Sequence, residues 1–306
     1  MNNSANLDSY VLNLESLEGR LTFDSFKSDN LPENFINFCS LLARNAHFFQ
    51  TRSKTGEPYS VHLDEVSGLG ASCVKNEYKP FVRAQLRLHD WDEDAQKNKD
   101  VIYNLTSEQK RAIGLNEEEQ HFHFSPLFTE FGLLGQFTAQ TVRLFNKKLM
   151  LDYLMAINIV PDFITDSKNN KEISYGMYVR SLTGDFNFPT ILGKQPKLNK
   201  DFHSFFLTLG KTGDLISNMD IGKPFNFNYQ KRRLKLDDNL IENNFNKYVE
   251  QKRRNCLRVL QYVPLLKESL KKNPVSEEML IGKNLDVIVD SGLKFADDYL
   301  LGKVEY

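Results

Sequence analysis

The chain has 306 residues, of which 41% are hydrophobic and 26% charged, a composition typical of a folded protein with one large domain or two smaller ones. Its 39 Lys and Arg residues almost balance its 40 Asp and Glu residues, so no global field draws the protein to nucleic acid or to an anionic membrane. The sequence also lacks an apolar run of the roughly 18 residues that a membrane span needs. We therefore expect neither a nucleic-acid partner nor a membrane span.

The three cysteines, Cys39, Cys73 and Cys256, lie far apart in the sequence. An odd number of unclustered cysteines is typical of a reducing compartment and does not form a zinc ribbon. The first residues show no basic segment followed by an apolar core, which a signal peptide would have. Phosphate-loop and dinucleotide fingerprints are missing as well. These features predict a cytoplasmic protein without a cofactor.

The first half of the chain combines a polar start with two alternating segments. Residues 1–56 predict an N-terminal helical arm, because apolar residues recur at helical spacing after Pro32. Residues 60–66 and 81–91 alternate between apolar and polar side chains, a pattern that predicts two strands. Residues 128–157 form the longest apolar segment without proline and predict buried helices around which the rest packs.

The second half of the chain is predicted to be helical. Tyr175 to Leu182 indicates a short helix, and Phe202 to Leu209 indicates another that Gly210 closes. A long helix begins near Leu240, and Pro264 should end or kink it. Two more helices follow, one opened by Pro274 and ending at Gly282, and one over 286–301. The predicted fold class is α+β, mostly helical, with a small early β region.

Two patterns could carry chemistry near the predicted strands. His121 and His123 lie two residues apart, as do His62 and Asp64. On strands each pair would point to one face, so the four side chains could bind a metal ion. Alternatively, Cys73 follows a loop with two glycines and could act with His121 or His123 as the nucleophile of a hydrolase or deamidase. The alternative is that all of these residues have an ordinary structural role.

Basic residues cluster at 231–235 and 252–258, and aromatic residues alternate with asparagines just before, at 225–229. Such a combination can stack single-stranded nucleic acid. The balanced total charge argues against this use, so we interpret the basic residues as a solvated surface.

Four stretches, in order, resemble the N-terminal lobe of HECT-type ubiquitin ligases. In Gly68 to Tyr78, the residues Gly68, Glu77 and Tyr78 match that family's glycine-rich segment, whereas Gly70, Ser72 and Cys73 depart from it. The second stretch is a helix of the central segment, and the third, LIENNFNKYV at 240–249, is similar to the start of a long helix in the family. The fourth is SEEMLIG at 276–282. The residues that match in the second stretch are Phe131, Leu134, Gly135, Phe137, Ala139 and Val142.

The resemblance implies an N-lobe-like domain over 57–306 with a small inserted subdomain at about 160–235. In the family, that subdomain docks a ubiquitin-conjugating enzyme. The implied partners are such an enzyme and ubiquitin, and the implied cellular role is that of a ligase component. The aromatic residues expected to contact the partner are Phe186, Phe188, Phe225, Phe227 and Tyr229.

The same resemblance implies that the catalytic step is not carried out by this chain. Ligases of this family transfer ubiquitin through a cysteine in a C-terminal lobe, where it follows a threonine. None of the three cysteines has that context. We therefore expect a fragment of a ligase or a lobe with another use, and a non-catalytic protein-interaction module is the alternative.

Overall fold

A computed structural model describes residues 23–31, 50–87, 175–183 and 200–304, together with positions 36, 39, 40, 43 and 47. This part of the chain is mostly helical, as predicted. The helices with defined bounds are α1 (Tyr59–Ser72), α2 (Lys79–Leu86), α3 (Tyr175–Leu182), α4 (Lys200–Ser217), α5 (Asp238–Lys272), α6 (Pro274–Met279) and α7 (Gly282–Leu300). None of these helices is both long enough and apolar enough to cross a membrane. The central apolar segment, 128–157, lies outside the described residues.

The prediction of two early strands was wrong. Residues 60–66 lie in α1 and residues 81–86 in α2, and the described residues contain only two isolated β-bridges. The buried positions explain the error, because they fit a helix as well as an alternating strand over so short a window. In α1 they recur at four-residue spacing. The buried residues of α1 are His62, Leu63, Val66, Ser67, Gly70 and Ala71.

The main core lies where α4 packs against α1 on one side and against α5 on the other, with α7 against α5. Its aromatic centre is built from Phe26, Phe81, Phe205 and Phe206, whose neighbouring ring centroids lie 4.6 Å (Phe26–Phe81), 5.5 Å (Phe81–Phe206) and 5.2 Å (Phe205–Phe206) apart. Phe26 and Cys39 are buried here, so residues of the predicted N-terminal arm share this core.

Glycine allows α1 and α4 to approach closely. A Cβ atom on Gly213 would lie 3.0 Å from the carbonyl oxygen of Val66, a backbone atom that cannot easily move. A Cβ atom on Gly210 would lie 3.0 Å from a side-chain methyl group of Leu86 on α2. The prediction that Gly210 ends a helix was therefore wrong, because α4 continues to Ser217 and uses its glycines for packing.

Helix α5 runs through Pro264, which was predicted to end or kink it. Proline removes one backbone hydrogen bond, the one to the carbonyl of Leu260. Pro264 is exposed, whereas Val263 and Leu266 are buried in the core, so packing holds the helix on both sides of the proline. The predicted start was correct to within two residues, and the side chain of Asp237 caps it by accepting from the Leu240 amide at 2.8 Å.

Candidate docking surface

A small second core lies at the start of α5. Phe225 and Tyr248 are buried in it, and Phe245 packs against them at its edge. The ring centroid of Phe225 lies 5.5 Å from that of Phe245 and 5.7 Å from that of Tyr248. The Tyr248 hydroxyl donates to the Lys223 carbonyl at 2.5 Å. These contacts fold the segment after α4 back onto the first turns of α5.

The aromatic residues that were predicted to contact a partner differ in their exposure to solvent. Phe225 is buried in the small core, and Tyr229 is half-buried. Phe227 is 53% exposed although one side of its ring packs on Phe225 and Phe245, at centroid distances of 4.8 and 5.4 Å. Phe186 and Phe188 lie outside the described residues. Phe227 is therefore the described aromatic residue that offers surface to a partner.

Two more large apolar side chains are exposed nearby, Leu234 at 41% and Leu240 at 48%. The segment between Phe227 and Leu240 forms a closed loop, because the ammonium group of Lys231 lies 3.0 Å from the carboxylate of Asp238. Exposed cations occupy the same loop. We call the following six residues the docking surface: Phe227, Arg232, Arg233, Leu234, Lys235 and Leu240.

A buried amide anchors this loop. Gln230 lies in a π-helical turn, Tyr229–Arg233, and its side chain is fully buried. Its amide nitrogen donates to the Ser53 carbonyl at 2.6 Å, and its amide oxygen accepts from the Asn244 side chain at 3.1 Å. Both polar ends of Gln230 are thus satisfied, by the preceding turn and by α5. The basic turn is held in one orientation from both sides.

The preceding turn is closed by a β-bridge between Thr51 and Pro58. Gly56 in this turn has a φ of 76°, in the left-handed region that favours glycine. A Cβ atom on Gly56 would lie 2.6 Å from the Tyr229 ring, so a side chain there would displace the tyrosine. The Tyr229 hydroxyl lies 2.9 Å from the Thr51 hydroxyl. Tyr229 therefore attaches the turn at 51–58 to the basic turn that follows it.

A part-buried ion pair between Arg52 and Asp220 joins the turn at 51–58 to the residues that follow α4. The Arg52 guanidinium donates to the Asp220 carboxylate and to the Asn218 side-chain oxygen, at 2.7 Å each. Each side chain of the ion pair is 14% exposed. Burial raises the pKa of Asp220, while the positive charge of Arg52 opposes that rise. Asp220 has a φ of 52°, a left-handed conformation that aspartate tolerates better than most residues.

Cys73, the alternative catalytic residue, is buried, and its thiol donates to the Leu69 carbonyl at 3.4 Å. Burial raises the pKa of Cys73 to about 12. A nucleophilic cysteine needs a pKa shifted in the opposite direction. His121 and His123, its predicted partners, lie outside the described residues. The surroundings of Cys73 are those of a structural residue.

His62 and Asp64, the alternative metal ligands, diverge because they lie on a helix, where residues two apart do not share a face. His62 is buried, with one ring nitrogen 2.9 Å from the Ser217 hydroxyl and the other 3.5 Å from the Asp214 carboxylate. Asp64 instead pairs with Arg87 at 2.6 Å. Within the described ranges, no group of three or more His, Cys, Asp or Glu residues could hold a metal ion.

Two of the stretches that resemble HECT N-lobes lie against each other. The amide of Lys75 donates to the Met279 carbonyl at 2.9 Å, and the amide of Ile281 donates to the Cys73 carbonyl at 2.7 Å. The buried Tyr78, which matches the family's aromatic residue, donates its hydroxyl to Glu278 at 2.7 Å. The stretches at 68–78 and 276–282, far apart in sequence, thus form one structural unit.

The sequence matches no protein-family model, and no curated protein or solved structure is significantly similar to it. The resemblance to HECT N-lobes therefore rests on the four quoted stretches alone. Three of them lie among the described residues, and the second lies outside.

Proposed function

We propose that this chain is a docking module of the ubiquitin pathway that binds a ubiquitin-conjugating enzyme through the docking surface. The observation that carries the proposal is the exposure of Phe227 while its ring packs on Phe225 and Phe245. Phe227 lies at the end of the region where the resemblance places the docking subdomain. The aromatic residue that packs under it, Phe245, belongs to the third matched stretch.

The composition of the docking surface supports binding to a protein. Aromatic residues and arginine are enriched where proteins meet, and they carry most of the binding energy. Phe227 keeps one face against its own core, so little side-chain entropy is lost when a partner covers the other. Leu234 and Leu240, in the same segment of the chain, expose further apolar area. A surface of this kind suits a transient complex.

The hydrogen bonds between the first and fourth matched stretches support the family part of the proposal. Tyr78 is a matched residue of the first stretch, and its hydroxyl donates directly to Glu278 in the fourth stretch. The proposed partner class follows from this resemblance.

The burial of all three cysteines supports a role in docking a conjugating enzyme without the transfer of ubiquitin through a cysteine of this chain. A ubiquitin thioester requires an accessible thiolate. Cys39, Cys73 and Cys256 are all buried, and burial raises the pKa of each, to about 11 for Cys256. We therefore assign the chain a binding role, and the ubiquitin that reaches a substrate would pass through another cysteine.

Titration with a panel of ubiquitin-conjugating enzymes, free and charged with ubiquitin, tests the proposal. We expect at least one enzyme to bind with a Kd below about 1 mM, and Phe227→Ala to weaken that binding roughly 10- to 30-fold, as expected for a central aromatic contact. Isothermal calorimetry or chemical-shift titration measures both values.

Leu257→Ala is the matched control, because Leu257 is 51% exposed, close to the 53% of Phe227. It lies about 25 Å beyond Leu240 along α5, at a rise of about 1.5 Å per residue. Its replacement should leave affinity unchanged. The proposal fails if no enzyme binds more tightly than about 1 mM, or if Phe227→Ala and Leu257→Ala have equal effects.

A further inference from the structure

We infer that the docking surface recognises an acidic amphipathic helix of its partner, with carboxylates that face the basic turn and aliphatic side chains that cover Phe227. This inference rests on the proposed docking function and specifies the chemistry of the partner. It follows from the charges, the exposed apolar side chains and the backbone conformation of residues 227–240.

Three cations of the docking surface have their charge available for a partner. Arg232, Arg233 and Lys235 are exposed, and no carboxylate in the described part of the chain lies within ion-pair distance of them. Two other lysines nearby already form ion pairs within the chain. Lys231 pairs with Asp238 at 3.0 Å, and Lys223 is held by two glutamates. Arginine and carboxylate form paired hydrogen bonds, so a glutamate-rich segment suits this turn.

Two more cations, Lys54 and Lys247, lie near the residues that anchor the turn to α5. The ammonium group of Lys54 donates to the Asn244 side chain at 3.1 Å, next to Gln230. Burial lowers the pKa of Lys54, and the charge of Lys247 lowers it further, so these two cations are close enough to repel. An anionic partner would relieve that repulsion. The protein as a whole has a net charge of −1, so this local excess of cations is distinctive.

The backbone of the turn is held in place before any partner arrives. Lys235 has a φ of 55°, in the left-handed region that a lysine rarely adopts. A glycine or asparagine would fit this conformation with less strain, so the lysine side chain is kept at an energetic cost. Gln230 fixes the other end of the turn from the interior. Preorganised cations lose less entropy on binding than mobile ones.

The apolar part of the surface favours a protein helix over single-stranded nucleic acid. Bases need aromatic platforms, and among Phe227, Leu234 and Leu240 only the phenylalanine offers one. Phe225 and Tyr229 are withdrawn into packing contacts. The leucine side chains of an amphipathic partner helix would instead cover exposed apolar side chains of this kind.

A pair of synthetic peptides tests this inference. The first is a fluorescein-labelled 18-residue helix with leucines on one face and glutamates elsewhere, and the second has glutamine in place of every glutamate. We expect anisotropy titrations to show the glutamate peptide binding at least 10-fold more tightly, with an affinity that falls between 50 and 300 mM salt. An 18-nucleotide oligothymidine is titrated in parallel.

Reversing the charge of two arginines tests whether the glutamate peptide binds at the basic turn. Arg232→Glu combined with Arg233→Glu should weaken the glutamate peptide at least 10-fold. The control is Lys283→Glu combined with Lys294→Glu, which reverses two exposed charges on α7 and should leave binding unchanged. All four residues are exposed, so both variants should fold, and circular dichroism verifies this.

Equal binding of the two peptides would overturn the inference, and so would tight oligothymidine binding that the Arg232→Glu and Arg233→Glu variant abolishes. The outcomes also separate this inference from the proposed function. If the glutamate peptide binds as expected and no conjugating enzyme does, the partner class is wrong and the acidic chemistry stands. If an enzyme binds with an affinity that reversal of Arg232 and Arg233 leaves unchanged, docking stands and the acidic chemistry is wrong.

Discussion

Replacing Arg52 by Met is expected to lower the free energy of unfolding by about 3–5 kcal/mol, the usual cost of removing one partner from a buried ion pair. The guanidinium holds Asp220 and Asn218 with bonds of 2.7 Å each. Met fills similar space but leaves the Asp220 carboxylate, which is 14% exposed, without its main cation. Chemical denaturation measures the loss.

The pH dependence of that loss follows from the Asp220 pKa. Burial raises this pKa above its unfolded value, and Arg52 opposes the rise, so Arg52→Met should raise the pKa further. A carboxyl with a raised pKa binds more protons in the folded state, so its contribution to stability falls as pH rises through the folded pKa. The difference between wild type and Arg52→Met should therefore be largest at neutral pH and shrink on acidification.

Two further variants control this result. Asp220→Asn in the Arg52→Met background removes the stranded charge and should restore part of the stability, since asparagine also tolerates a positive φ. Lys231→Met breaks an ion pair whose side chains are 66% and 85% exposed, so it should change the free energy of unfolding by less than about 1 kcal/mol. Equal losses for Arg52→Met and Lys231→Met would contradict the structural role assigned to the buried pair.

Gln230→Leu should lower the free energy of unfolding by about 1–3 kcal/mol, because it removes two hydrogen bonds at about 0.5–1.5 kcal/mol each. The lost partners are the Ser53 carbonyl and the Asn244 side-chain amide. The change should also weaken partner binding, since the basic turn loses its anchor. Denaturation and titration of one preparation measure both effects.

Gln251→Leu is the control for this prediction, because Gln251 is an exposed glutamine on α5. An exposed substitution of this kind should change stability by no more than about 0.5 kcal/mol. If Gln230→Leu proves as stable as Gln251→Leu, the buried amide does not organise the turn.

Helices whose determinants are local could be predicted from the sequence. The prediction for Tyr175 to Leu182 matches α3, and the start of α5 follows from the capping residue Asp237. The strands predicted at 60–66 and 81–91 failed because alternation and helical periodicity give the same apolar positions over a few residues. Gly210 was misjudged because the packing of α4 against α2, which its small size serves, is not visible in the sequence.

The candidate site could be predicted only in part, because exposure depends on distant partners. Phe225 and Phe227 lie on either side of Asn226, yet one is buried and the other exposed. Phe245 on α5 contacts both rings, whereas Tyr248 on the same helix packs against Phe225. The basic run at 231–235 was noticed, but its presentation depends on Gln230 bonds that reach back to the turn at 51–58.

Site-specific photo-crosslinking tests the central claim, that partners dock at Phe227, most directly. Benzoylphenylalanine would be placed at position 227 in one variant and at position 257, which is equally exposed, in another. The account predicts that a bound ubiquitin-conjugating enzyme is crosslinked from position 227 and not from position 257. Crosslinking from position 257 alone, or none from position 227 while the complex is demonstrably formed, would contradict it.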